Sequence, residues 1–151
     1  MADAINRIAA TRRDVNLVIA KLDAQDKERE RSGGPQGGDG AGKALRQSAR
    51  DLQKKLSAVE RRLYVSPDIK GLVNDETTAL SKVETARRAL SSSWETPSAT
   101  ANAYLDETDR TVREALADFN KLYAEDVPAF QKKLADARIG LLSDQGPIEI
   151  K

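Results

Sequence analysis

The 151-residue chain contains neither histidine nor cysteine, so any chemistry it performs must come from carboxylates, lysines, arginines and hydroxyls. Such groups act as general bases or nucleophiles only when a neighbour activates them, which requires a recognisable constellation. The nearest approach to a nucleotide motif is GGDGAGKA at residues 37–44. Gly37, Gly42 and Lys43 match the start of a phosphate-binding loop, where the next residue should be a Ser or Thr that holds magnesium. Here that residue is Ala44, and the motif follows a helical pattern instead of a strand. It reads as a linker that happens to end in Gly-Lys.

The acidic stretch YLDETD sets Asp106 and Asp109 three residues apart, with Glu107 beside them. Carboxylates that bind metals inside helical bundles project inward together with Glu-x-x-His pairs. No histidine is present, and Leu105 and Thr108 define an apolar line that these acids flank, so a solvated helix face is expected. Glu125 and Asp126 read as local support for a bend at the nearby Pro128. Basic doublets recur at Arg12-Arg13, Lys54-Lys55, Arg61-Arg62, Arg87-Arg88 and Lys132-Lys133. Adjacent helical residues point about 100° apart, so a doublet is not by itself a patch. A nucleic-acid surface would also gather its cations on one face and add stacking aromatics. Solvated faces and ion pairs are the expectation for these cations. The run Ser91-Ser92-Ser93 reads as a helix end and turn, and Trp94 as a cap on the core. No catalytic, cofactor-binding or metal-ligating residue is assigned, and the chain is not expected to be an enzyme.

The elements that would position these groups are helical. Hydrophobic residues make up 39% of the chain and charged residues 32%, with two Phe, three Tyr and one Trp. An all-β protein needs more aromatic and β-branched residues than this. The net charge of +1, from 25 basic and 24 acidic side chains, exerts no global pull on nucleic acid or anionic membrane. No apolar run approaches the ~20 residues of a membrane span. The N-terminal MADAINRIAATRRDV carries no apolar stretch of signal-peptide type and enters a helical pattern almost at once, as the edge of a domain cut from a longer chain would.

Four amphipathic segments follow, over about residues 3–31, 43–65, 74–94 and 97–142. The first places Ile5, Ile8, Val15, Ile19 and Leu22 on one face, with Arg12 interrupting. The second carries a narrow seam, Leu45, Ala49, Leu52, Leu56, Val59 and Leu63, in alternating steps of four and three. The third is expected to bury Leu80, Val83, Ala86, Leu90 and Trp94, with Asn74 as N-cap. In the fourth, Thr96 is the expected cap and Pro97 the first helical residue, where a missing N–H costs nothing. Its apolar series runs from Leu105 through Thr108, Val112, Leu116, Phe119, Tyr123, Val127, Phe130, Leu134 and Ala137 to Leu141. The phase survives Pro128, which favours one kinked helix over two separate ones. A flexible glycine-rich loop at 32–42 and a turn in VSPDIKGL connect the segments, and residues 143–151 form an extended tail. The expected fold is all-α: a single domain, residues 1–142, built as an antiparallel up-down four-helix bundle with a long, Pro-kinked C-terminal helix.

Segments two to four carry text of a familiar kind: GKALRQSARDLQKKLSAVERRLYVSPD, then TPSATANAYLDETDRTVREALADFNKLYAEDVPAFQKKL. This resembles the helical C-terminal region of bacterial sortilin-like β-propeller proteins, also described as glycosyl-hydrolase-like BNR-repeat proteins. The points of similarity are Lys55-Leu56 with Glu60, Pro97 with Tyr104, and Asp126-Val127 followed by Ala129-Phe130. In that family the helices follow the propeller as an appendage, so the resemblance implies position and no activity. This chain has no Ser-x-Asp-x-Gly-x-Thr-Trp box, and neither a hydrolase label nor any functional residue transfers to it. The resemblance also implies an exported parent, periplasmic or secreted, with its export signal upstream of Met1.

The expected function is therefore a non-catalytic docking or spacer module that contacts a protein partner or a second copy of itself. The overhang of segment four around Tyr123, Phe130 and Leu134 is the candidate partner-binding surface, with segment one covering part of it. Two alternatives stay open: a weak nucleic-acid or anionic-surface binder using the basic helix faces, and a carboxylate metal-binding bundle. No cofactor, small-molecule substrate or membrane span is expected.

Overall fold

The computed structural model describes residues 1–31, 40–65, 77–91 and 96–137. All elements among them are helical: α1 (Ala2–Arg31), α2 (Gly40–Leu63), α3 (Ala79–Ser91), and a continuous run made of α4 (Ala99–Lys121), a π-helical turn (Leu122–Asp126) and α5 (Val127–Asp136). The described residues include no strand. Counting the run as one, the described residues form four helices.

The seam read on α2 is buried in full, from Leu45 at 5% exposure to Leu63 at 0%. Alternating steps of four and three keep one stripe of a helix facing inward, and here that stripe meets α1 on one side and the α4–α5 run on the other. On α1 the buried line is Ala4, Ile8, Thr11, Val15, Val18 and Leu22, while Ile5 and Ile19 are only half-buried. The expected stripe was thus rotated slightly, because Thr11 is a core residue. Its polarity hides it from an apolar count, yet its hydroxyl is matched inside by Tyr123 Oη at 2.8 Å.

α3 is shorter than the segment read from the sequence. Its cap is Thr78, whose Oγ1 accepts from the Ser81 amide at 3.3 Å. Asn74 and Trp94 lie outside the described residues. Of the expected apolar positions, Ala86 is buried, Leu80 is half-buried, and Val83 and Leu90 are exposed. α4 is capped by Ser98, which accepts from the Ala101 amide at 3.2 Å, so Pro97 stands one residue before the cap instead of inside the helix. The glycine-rich stretch also gives up its end to α2, which already begins at Gly40. Residues 32–39, most of the VSPDIKGL turn, and the tail from residue 138 onward are outside the described set.

Pro128 falls in the first turn of α5, directly after the π-turn. There the Val127 amide donates to Leu122 O, five residues back, which widens the turn by one residue. Widening brings both Leu122 and Tyr123 into the core, at 3% and 1% exposure. The steep cost of an interior proline, a lost amide bond and a clash with the preceding turn, is relieved where the helical ladder is already interrupted.

Candidate functional site

The candidate docking residues Tyr123, Phe130 and Leu134 are 1%, 3% and 2% exposed. They belong to the same hydrophobic core as Leu45, Leu52 and Leu56 of α2. The expected bare overhang does not exist there, because α2 covers this part of the long run. Lys55 reaches Asp126 at 2.5 Å, and Lys133 donates to Ser48 Oγ at 2.9 Å. The N-terminal part of α4 packs on α3 instead, with Lys82 paired to Glu107. α3 covers the N-terminal part of the long run, and α2, joined at Tyr123 by Thr11 of α1, covers the rest.

The core polar groups form one matched set. Tyr123 stacks on Phe119 with ring centroids 4.3 Å apart and hydrogen-bonds Thr11. Burial pushes the Tyr123 phenol up from its ordinary pKa of 10.0, and the Thr11 hydrogen bond partly opposes that shift. Glu60, 6% exposed, accepts from Arg12 Nη1 at 2.9 Å and from Tyr64 Oη at 2.7 Å. Such satisfied groups fix helix register, since a misplaced helix would leave them unpaired in the interior.

Three of the five acids singled out in the sequence are salt-bridge partners. Asp109 pairs with Arg113 at 2.7 Å, Glu107 with Lys82, and Asp126 with Lys55. The Lys82 ammonium holds the Glu107 carboxyl below its ordinary value, and the hydrogen bond from Lys55 to Asp126 raises the lysine above its own. Asp106 and Glu125 are exposed. Among the described residues no group of three or more potential ligands is arranged to hold a metal ion. Ser91 Oγ donates to the Arg88 carbonyl at 3.2 Å and closes the end of α3, as a terminal serine does. Lys43 is exposed within α2, and Gly42 beside it is helical, so the Gly-Lys pair does not form a loop-to-helix junction.

The doublets behave as divergent neighbours should. Arg12 reaches Glu60 while Arg13 turns to its own helix at Ala9 O. Lys55 ties α2 to Asp126, and Arg62 ties it to Asp118 and Glu114. Their companions Lys54 and Arg61 face outward, and with Arg50 they border a groove of about 690 Å³ between α1 and α2. Arg12, Asn16, Gln53 and Ser57 complete its polar lining. Inspecting adjacent residues missed this grouping. The signal was the spacing of Arg50, Lys54 and Arg61, steps of four and seven, which lie on one helix face. A second concavity of about 520 Å³ between α3 and α4 is lined by Val83, Ala86, Leu90 and Thr108.

No protein-family model, no curated protein and no solved structure matches the chain. No helix among the described residues is long and apolar enough to cross a membrane.

Proposed function

We propose that the chain is a non-catalytic helical docking and spacer module, in which α2 runs antiparallel to both α1 and the long run, in place of the alternating up-down order expected from the sequence, and whose last helix bends at the π-turn beside Pro128. One observation carries the reading: α2 touches every other helical element, so the whole molecule is organised around one braced rod. The sense of the helices is supported by the order of their cross-ties. Arg12 meets Glu60 and Arg46 meets Asp23, so numbering falls along α2 as it rises along α1. Arg62 with Asp118, Lys55 with Asp126 and Lys133 with Ser48 give the same inverse order against the long run. Lys82 with Glu107 fits an antiparallel α3–α4 pair. A braced α2 and a run of 38 residues from Ala99 to Asp136 suit the task of holding two attachments apart. The resemblance to the helices that follow a propeller supports the same role, as an appendage of a larger protein that contacts a partner or a second copy.

The spacer half is tested by small-angle X-ray scattering of the monodisperse chain. The long run alone should contribute a dimension of about 57 Å at ~1.5 Å per residue. A maximum dimension well below that, from a helix folded back at Pro128, would overturn the spacer reading. The self-association branch is tested by light scattering over a wide concentration range. Mass rising above the 16.5 kDa of one chain supports it, and a constant single-chain mass removes it.

A further inference from the structure

We propose that the groove between α1 and α2 is a binding site for a soluble, multiply charged phosphate ligand of the oligophosphate type. This inference stands apart from the spacer reading and rests on how charge is distributed around the groove. Three cations of α2, Arg50, Lys54 and Arg61, border it, and Arg12 of α1 faces them. No carboxylate is among the lining residues. Arg46, Lys55 and Arg62 of the same helix are committed to Asp23, Asp126 and Asp118. The groove cations of α2 are less engaged. Arg50 and Arg61 have no ion-pair partner among the described residues, and Lys54 reaches only Asp51, at 3.9 Å. Arg12 is held by Glu60 through Nη1, which fixes its guanidinium against the wall.

Geometry narrows the class of ligand. Arg50 and Arg61 are eleven residues apart, about 16 Å along the helix at ~1.5 Å per residue. An anion with charges distributed over that reach can meet both guanidinium forks and the Lys54 ammonium together. Guanidinium forks match phosphate oxygens bidentately, and lysine adds a point charge. Asn16 and Gln53, hydrogen-bonded to each other across the groove, supply neutral polar groups at its lining. No aromatic side chain lines the groove to stack a base, and Ala58 is its one apolar residue. Those two features disfavour nucleic-acid bases and acyl chains, and favour a polyanion recognised by its charge alone.

The experiment is isothermal titration of the full chain with inorganic tripolyphosphate in ~0.1 M salt, where surface charges are screened beyond about 10 Å. The proposal expects saturable binding at one site per chain. The double variant Arg50→Ala/Arg61→Ala should weaken binding at least ~10-fold, the loss expected of charge-assisted hydrogen bonds. Both residues are exposed and unpaired among the described residues, so the variant should fold normally, as a circular dichroism melt will verify. Arg87→Ala/Arg88→Ala on α3 removes the same charge and should leave binding unchanged. Absence of saturable binding overturns the proposal. Equal losses in the two variants overturn it too, because they mean diffuse attraction. A short DNA duplex or an all-glutamate peptide binding more tightly than tripolyphosphate through Arg50 and Arg61 would replace the assigned ligand class.

Discussion

Tyr123 shows how one side chain serves packing and register together. Its ring stacks on Phe119, and its hydroxyl meets Thr11 across the core. Replacing it with Phe keeps the ring but strands the Thr11 hydroxyl, at about 1 kcal/mol if threonine turns back to its own helix carbonyl. Urea denaturation of Tyr123→Phe at neutral pH should read that loss. Alkaline pH gives a second readout. Burial raises the folded-state pKa above the unfolded value of 10.0, so the neutral phenol supports the fold fully below that pH. The support is lost as pH climbs through the folded value. Tyr123→Phe should therefore show a shallower fall in stability above pH ~10 than the parent protein. Phe130 shows the cost of reading an apolar stripe as a surface. Since it is 3% exposed, Phe130→Asp buries a charge and empties a ring-sized space. It should lower stability by more than ~3 kcal/mol, and a thermal melt showing no loss would contradict the packing described here.

At the scale of elements, helix ends and the proline turn carry the predictions. Ser98 and Thr78 accept amide hydrogen bonds at the starts of α4 and α3. Ser98→Ala should cost about 0.5–2 kcal/mol, whereas Thr96→Ala, changing a residue outside the helix, should cost little. The comparison decides between the two caps by chemical denaturation. Pro128 offers a sharper contrast. An interior proline lowers stability by ~3 kcal/mol relative to alanine, so its replacement would stabilise the protein by that much. Placed after a π-turn in the first turn of α5, Pro128→Ala should change stability by under ~1 kcal/mol. The sequence displayed the proline and the surviving apolar phase plainly. It did not display the π-turn, because an extra residue in one turn is tolerated only when core contacts to Leu122 and Tyr123 hold it.

For the whole molecule, α2 is the member on which the rest depend. Leu56 lies at its centre with 0% exposure, while the exposed Lys55 beside it contributes only an outer ion pair. Leu56→Ala should cost about 2–5 kcal/mol and lower the melt of all helices in one transition. Lys55→Ala should leave the melt nearly unchanged, because an exposed ion pair is screened by solvent. Separate transitions for α3–α4 and α1–α2 in the Leu56→Ala protein would show that the α2-centred core does not unify the fold.

Apolar periodicity alone determined that the described residues are helical, roughly where α1, α2 and the long run lie, and which face of α2 is buried. Each of these follows from the local repeat of the backbone, which any stretch of sequence displays by itself. Tertiary structure decided the matters that depend on a distant neighbour. Thr11 is a core residue because Tyr123 faces it, and Phe130 is shielded because α2 lies over it. The cations of α1 and α2 share a groove because two helices place residues 12 and 50–61 side by side. A residue's spacing along the chain fixes its direction on its own helix, but only the packing of another helix against that direction makes it core, tie or open surface.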